Sequence, residues 1–339
     1  MTATVCTAPL RISIAGGGID MPEYYVHGTA RVTALTVDLF VRVAVGDDSE
    51  AVCAVLPAEP VYRLSPAQAA EHPYYAAARR LLGIRDPPYV AVCSQVLPGS
   101  GLGGSGSFCV ALLDALSRHQ GEQLTAQQLA RLAFELERRE LRRTVGQQDG
   151  WAPVIGGAVR MTFEPCGRAS AQSDPELFAV LRPLLETGLM LLRTGRQRDA
   201  GHVLAATREV TTAAFTEAAA GARMLEHAYA TGDLRRIGRA LSEQWAAKVR
   251  RNPAVDHPIC RRLGAPDAPK SVLGFKLVGA GGGGHLLAAV DPAGRAQALE
   301  FFDSLGLTRV SAQAWPFGLD RTAGPLPQIT PSTSTLAPG

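Results

Sequence analysis

Val96-Leu-Pro-Gly-Ser-Gly-Leu-Gly-Gly-Ser-Gly-Ser107 separates two stretches of opposite character. Before it, Tyr89-Val-Ala-Val-Cys-Ser-Gln-Val96 is apolar and β-rich. After it, Phe108, Ala111, Leu112, Ala115 and Leu116 recur at helical spacing, predicting a helix from about Ser105 to His119 that Gly121 stops. A strand, a glycine loop and a helix N-terminus in that order bring unpaired N–H groups and the positive end of a helix dipole to one spot. The arrangement predicts an anion site, with a phosphate held at Gly99 to Ser105.

Working outward from the loop, Thr125 followed by Gln128 has the form of a capping box for a second helix. Leu129, Leu132, Ala133 and Leu136 give that helix an apolar stripe, with Glu137 at its edge; taken alone, such a glutamate is more often a surface residue. Val145-Gly-Gln-Gln-Asp-Gly-Trp151 then reads as a turn with one carboxylate, Asp149, for which turn formation is the bland explanation. Toward the N-terminus, a short strand (Leu10 to Ala15) leads to Gly16-Gly17-Gly18, flanked by Arg11 and Asp20, and then to a second β-rich run, Arg31 to Val43. The three glycines suit a tight hairpin as well as a close approach to a ligand. Residues 46–88 carry no nameable chemistry, with a helix around Tyr74 to Leu82. Beyond a variable connection that holds the domain boundary, a helical region from about 200 to 249 breaks at Gly232-Asp233. Residues 273–290 then read strand, glycine turn (Gly279 to Gly284), strand, followed by a helix from Pro292 to Leu305 and a strand near Val310.

Two of the glycine loops satisfy GxGxxG, a weak pattern by itself. A dinucleotide site needs a βαβ unit, but a second helix follows the first loop and the other loop joins two strands, so that reading fails. A P-loop needs a Gly-Lys-Ser/Thr triplet. The only lysines are Lys248, Lys270 and Lys276, so a cation in the first 247 residues must be arginine and the P-loop reading fails too. What survives is a glycine loop with Ser105 at the helix start, available to magnesium on bound phosphates, with Glu137 as a second hard oxygen ligand. Phosphoryl transfer also needs a group to deprotonate the acceptor and a cation near it; Asp149 and Arg11 are the candidates.

The chain of 339 residues is long for one core and predicts two domains. Its 34 basic and 31 acidic residues leave a net charge of +3, too balanced for a nucleic-acid or membrane surface. The six cysteines lack metal spacing and read as thiols in a reducing cytosol, and no apolar run reaches the length of a membrane span. The last residues, 323–339, are rich in Pro, Ser and Thr and predict a disordered tail.

Ala8 to Asp20, Pro98 to Ser107 and Lys276 to Gly284 resemble, in order and separation, the three motifs of the GHMP kinase superfamily. The resemblance covers roughly residues 8–320 and implies an α+β (mixed α/β) two-domain fold. In that fold an N-terminal α/β domain (1–185) carries the nucleotide loop, a ferredoxin-like C-terminal domain (186–322) follows, and the active site lies between them. The Gly-Gly-Gly-x-Asp turn, the Val-Gly-x-Gln-Asp segment and the four-glycine third motif are most similar to D-glycero-D-manno-heptose 7-phosphate kinases. These transfer phosphate from ATP, with Mg2+, to the anomeric hydroxyl of the heptose.

Carried over motif by motif, the resemblance makes Asp149 the catalytic carboxylate assisted by Arg11, and Ser105 and Glu137 the magnesium ligands. Pro98, Gly99, Ser100, Gly101, Leu102, Gly103, Gly104 and Ser105 become the nucleotide cradle. Gly17, Gly18 and Asp20 would hold sugar hydroxyls, and Gly281, Gly282 and Gly283 would close over the acceptor. Lys276, Arg193 and Arg196 are assigned to the acceptor's phosphate by charge alone. Three positions depart from the pattern: Gly104 replaces a usual serine, Gly106 loosens the first helical turn, and Gln147 stands where heptose kinases often have lysine. A kinase of an unphosphorylated sugar such as fucose or galactose, and a silent sugar-sensing homologue, are the alternatives.

Overall fold

The computed structural model describes residues 3–50, 52, 61–195 and 210–322. The tail at 323–339, Arg196 and Cys53 lie outside them. Two antiparallel sheets organise the chain. The first has six strands, β1 (Thr4–Ala15), β2 (Ala30–Gly46), β3 (Val61–Leu64), β4 (Tyr89–Ser94), β5 (Ala158–Phe163) and β6 (Ala169–Ser173). The 17-residue β2 is its axis. It pairs with β1 along one edge, and with β4 and β5 in succession along the other. Both β1 and β2 are buried along nearly their whole length, because further layers cover them on either side.

The helices of this half are α1 (Pro22–Tyr25), α2 (Pro66–Glu71), α3 (Pro73–Leu82), α4 (Gly104–His119), α5 (Ala126–Glu135) and α6 (Gln148–Ile155). The fully buried run Cys109 to Leu113 shows that α4 is the central helix of its layer. Gly121, with φ of 80°, follows its end, and the Thr125–Gln128 capping box starts α5. The second half contains α7 (Pro175–Thr187), β7 (Leu189–Arg193), α8 (Thr212–Ala230), α9 (Leu234–Arg251), α10 (Pro258–Leu263), β8 (Val272–Leu277), β9 (His285–Val290), α11 (Arg295–Ser304) and β10 (Thr308–Val310). Strand order β10-β7-β9-β8 is that of the ferredoxin-like split βαβ arrangement. Asp233 caps α9 through its side chain, which explains the helix break at Gly232-Asp233.

Three features depart from the sequence reading. The connection before β7, read only as variable, contains β6, whose polar and exposed residues hide its alternation, and α7, whose buried Leu177, Leu181, Leu184 and Leu185 follow helical spacing. A cut after residue 185 falls in the last turn of α7, and the two sheets share one apolar cluster. Leu10, Ile12, Ile14 and Val37 of the first half meet Leu189, Leu191, Tyr229, Leu241 and Leu287 of the second. Third, residues 311–322 return from β10 across the first sheet. Ala314 bridges Val37, Asp320 bridges Thr7, and Arg321 holds the buried Asp114 at 2.9 Å. Cys6, Cys93, Cys109 and Cys260 are buried free thiols and Cys166 is an exposed one.

Candidate functional site

The glycine loop is shaped by backbone that only glycine adopts readily. Gly99, Gly101 and Gly103 have φ of 77°, 82° and 77°, alternating with Ser100 and the fully buried Leu102. Alternation of this kind turns successive N–H groups to one side, and the loop runs into the N-terminus of the 16-residue α4, whose first N–H groups have no partner inside the helix. Two bonds stitch the loop to β1: the Arg11 amide donates to the Leu102 carbonyl (3.0 Å), and Arg11 Nη1 donates to the Gly101 carbonyl (2.7 Å). Below it, at a register shift in β1, the Ser107 hydroxyl donates to the Pro9 carbonyl (2.9 Å). From the other half of the molecule, His285 Nδ1 donates to the Ser100 carbonyl at 2.8 Å. A Cβ on Gly284 would come within 2.5 Å of that same oxygen.

Arg11 also reaches Asp149. Its Nε lies 2.8 Å from Asp149 Oδ1, and its Nη2 donates to the same oxygen. The guanidinium is 3% exposed and the carboxylate side chain 28%, and both Arg11 bonds fall on Oδ1, with no hydrogen bond to Oδ2 among the described residues. Asp149 sits in the first turn of α6, facing the first turn of α4. Gly106 makes this closeness possible: a Cβ there would be 2.5 Å from Asp149 Cβ and 2.6 Å from its carbonyl oxygen. The expectation that Gly106 merely loosens α4 is therefore corrected; its missing side chain is the space that Asp149 occupies. Gly104 differs, since a Cβ there would meet only Val96 Cγ2, at 3.7 Å.

Asp20 is 1% exposed, and both of its oxygens are engaged. Oδ1 accepts from the Gly18 amide (2.9 Å) and Oδ2 from the Gln148 amide (3.0 Å). Burial pushes its carboxyl upward, and the nearby Asp149 adds to the shift. A Cβ on Gly146 would collide with this carboxylate. Asp20 thus clamps the Gly16–Gly18 turn to the segment that carries Asp149. Gln147 is turned toward Tyr25, whose hydroxyl accepts from Nε2 at 3.0 Å.

Glu137 is not on a regular helix. After α5 the backbone widens into a π-helical turn, Leu136–Glu140, which places Glu137 inward and leaves it 4% exposed. Its carboxylate meets the hydroxyls of Ser105, on the first turn of α4, and Tyr74, on α3. Burial, followed by the charge of Asp149, pushes its pKa up to about 7. Among the described residues no three His, Cys, Asp or Glu side chains converge as a metal cage. Magnesium carried on nucleotide phosphates needs only one or two protein oxygens. Ser105 and Glu137 supply a hydroxyl and a carboxylate, and a divalent cation there would offset the Glu137–Asp149 repulsion, so the donor set fits.

On the far side of the Gly16–Gly18 turn, between α8, α9 and β8, lies a cavity of about 250 Å³ lined by Ser13, Gly17, Gln244, Lys248, Arg251 and Lys276 among others. Ser13 Oγ and Gln148 Oε1 are buried without a partner in the protein, and a Cβ on Gly17 would approach both side chains. Lys276 Nζ donates to the Ile14 carbonyl (2.7 Å) and Gln244 Oε1 (3.0 Å), and burial lowers its pKa to about 7. Arg193 is exposed at the end of β7, opposite His285, and is not among the residues lining the cavity. Gly281 packs on Val255 and Trp245, and Gly282 donates to the Val255 carbonyl (2.6 Å). Of the third motif's glycines only Gly279 is among the residues lining the cavity, together with Lys276 and Leu277. Tyr74, Lys248, Arg251 and His285 were missed by sequence reasoning. No motif surrounds Tyr74, Lys248 or Arg251; Lys248 carried a signal as one of three lysines, and His285 as the residue that follows the third glycine motif.

The chain is similar to several known proteins. Residues 69–157 match the family model of the GHMP kinases N terminal domain. The chain is 23% identical over 300 residues to a D-glycero-alpha-D-manno-heptose 7-phosphate kinase of Campylobacter jejuni, covering 84% of this chain and 88% of that one. Among solved structures, a D-glycero-D-manno-heptose 1-phosphate kinase from Bacteroides thetaiotaomicron superposes with a TM-score of 0.70 at 19% identity, over 93% of this chain and 97% of that one. A galactokinase of Lactococcus lactis complexed with galactose gives 0.66 at 14% identity, over 94% and 95%. Residues 69–157 thus resemble a GHMP kinase N-terminal domain, and the chain has the two-domain fold of these solved kinases.

Proposed function

We propose that this sugar kinase transfers the γ-phosphoryl group of ATP to the anomeric hydroxyl of a heptose 7-phosphate, giving the 1,7-bisphosphate and ADP. The observation that carries the reading is the Arg11–Asp149 pair beside the glycine loop. Arg11 holds Oδ1 and fixes the partly exposed carboxylate, while Oδ2, which Arg11 does not engage, accepts the proton of the acceptor hydroxyl. The acceptor oxygen forms a bond to the γ-phosphorus as the bond from that phosphorus to the β,γ-bridging oxygen breaks. The loop N–H groups and the α4 dipole hold the phosphates, and Arg11 offsets charge next to the transferring group. Magnesium, when bound, neutralises charge on the nucleotide phosphates; Ser105 and Glu137 are the residues assigned to hold it. The first half of the chain serves the nucleotide and shares the acceptor side with the second half, in a cytosolic enzyme.

Support for the heptose comes from the Gly16–Asp20 turn, the 145–149 segment and the likeness to the Campylobacter enzyme. Lys248 and Arg251 join Lys276 as cations of the acceptor cavity. Two observations favour an unphosphorylated sugar instead: Arg251 is paired with Glu217 at 3.3 Å, and burial of Lys276 disfavours its charged form. A mass-spectrometric screen of sugars and sugar phosphates with ATP separates the two. The proposal predicts product from the heptose phosphate and a loss of about 10²–10⁴-fold in Asp149→Asn. Phosphorylation of free sugars alone would select the second reading, and sugar and ATP binding without product would select a silent homologue.

A further inference from the structure

Beyond the residues that touch nucleotide or acceptor, the site contains a relay that the reaction scheme does not use. Tyr74 Oη donates to Glu137 Oε1 at 3.4 Å, and Arg143 Nη1 donates in turn to Tyr74 Oη. The Arg143 guanidinium also lies 5.8 Å from the centre of the Tyr74 ring, and the ring packs edge-on against Phe108 of α4, 5.5 Å between centroids. Three separate segments thus converge on one carboxylate: α3 through Tyr74, the turn after the π-helix through Arg143, and α4 through Ser105.

The backbone around the relay is costly. The π-helical turn spends an extra residue to turn Glu137 inward, and the Arg143 amide closes back on the Glu137 carbonyl at 2.9 Å. Arg142, just before it, has φ of 52°, and among the described residues it is the sole non-glycine with positive φ. A left-handed arginine is an unfavourable backbone state, and π-turns and such strained residues gather at functional sites. A carboxylate 4% exposed is costly as well, unless something binds it.

We propose that Tyr74 and Arg143 are positioning residues that orient the Glu137 carboxylate for the metal carried by the nucleotide. The inference rests on the assignment of Glu137 as a magnesium ligand. In this arrangement the donor from Tyr74 occupies one oxygen of Glu137 and directs the other toward Ser105 and the metal. Arg143 polarises the Tyr74 hydroxyl from behind. Outer partners of this kind set ligand orientation, and their loss typically weakens metal binding 10–100-fold.

The test is Mn2+ binding to the full-length protein with ADP, followed by electron paramagnetic resonance, for wild type, Glu137→Gln, Tyr74→Phe and Arg143→Lys. Tyr74→Phe keeps the ring and its contact with Phe108 and removes only the hydroxyl. The expected result is loss of Mn2+ binding in Glu137→Gln and at least about tenfold weaker binding in Tyr74→Phe. Arg143→Lys, which keeps a cation, falls between Tyr74→Phe and wild type. In turnover, Tyr74→Phe should shift the Mg2+ half-saturation point upward and recover wild-type kcat in excess Mg2+, which a merely structural lesion would not do. Mn2+ affinity within twofold of wild type in Tyr74→Phe, with Glu137→Gln impaired, overturns the relay. Equal binding by wild type and Glu137→Gln overturns the ligand assignment itself.

Discussion

Substitution of Gly106 by alanine probes the contact that places the proposed base. The added Cβ would lie 2.5–2.7 Å from three atoms of Asp149, two of them backbone. Ordinary contact begins near 3.4 Å, so the start of α6 must retreat by about 1 Å. Overpacking of this kind costs about 1–3 kcal/mol, while alanine in place of glycine in a helix returns about 1 kcal/mol. The net loss of stability is therefore about 0–2 kcal/mol, a fall of a few degrees in Tm. A displacement of about 1 Å at a reacting group costs on the order of 100-fold in rate. Gly106→Ala should thus fold, melt a few degrees lower and lose about two orders of magnitude in kcat. Gly104→Ser, whose side chain meets only Val96 at 3.7 Å, is the control and should retain turnover within about threefold. Calorimetry and an ADP-release assay on both variants provide the readout. Turnover of Gly106→Ala within threefold of wild type, or equal damage from Gly104→Ser, would refute the reasoning.

Three other perturbations have defined outcomes. The folded-state pKa of Lys276, about 7, lies below the ordinary 10.5, so folding releases a proton between those values and wild-type stability rises with pH across that window. Chemical denaturation at pH 7 and pH 9 should show a gain of up to about 2 kcal/mol that Lys276→Met lacks; parallel pH profiles would contradict the buried amine. His285→Ala leaves the Ser100 carbonyl without its donor, and should raise KM for ATP about tenfold or more with kcat nearly unchanged at saturation, measured by steady-state kinetics. Arg321→Ala leaves the buried Asp114 with Arg118, at 3.5 Å, and the thiol of Cys6. Because Arg321 is itself about half exposed, the cost is limited to about 1–2 kcal/mol, read by denaturant unfolding, with KM for both substrates unaltered.

The parts of this molecule that announce themselves in the sequence are those where backbone or helix geometry demands a residue type. Glycine at 99, 101 and 103 is required by positive φ, the Thr125–Gln128 pair by the orphan N–H groups of α5, and the apolar spacing of α4 by its burial on all sides. What stayed hidden depends on contacts between distant segments. Gly106 looked like a weak point of a helix until Asp149, 43 positions later, was seen to need its space. Asp20 looked like a sugar ligand, and its carboxylate instead caps amides on both sides of a turn-to-helix contact. Tyr74 lies in a stretch without any motif, and its role emerges only from a π-turn that hydrophobic periodicity does not encode. Charge alone put Arg193 beside the acceptor, whereas the β7–β9 register puts it opposite His285.

The position of the transferred phosphate distinguishes an anomeric kinase from every other sugar kinase. A reaction of ATP, Mg2+ and heptose 7-phosphate, followed by phosphorus–proton correlation NMR, reads that directly. The prediction is ADP together with a second phosphate whose phosphorus couples to the anomeric proton, absent with Asp149→Asn. Phosphate coupled to any other sugar proton, or ADP formed without a phosphorylated sugar, would contradict it.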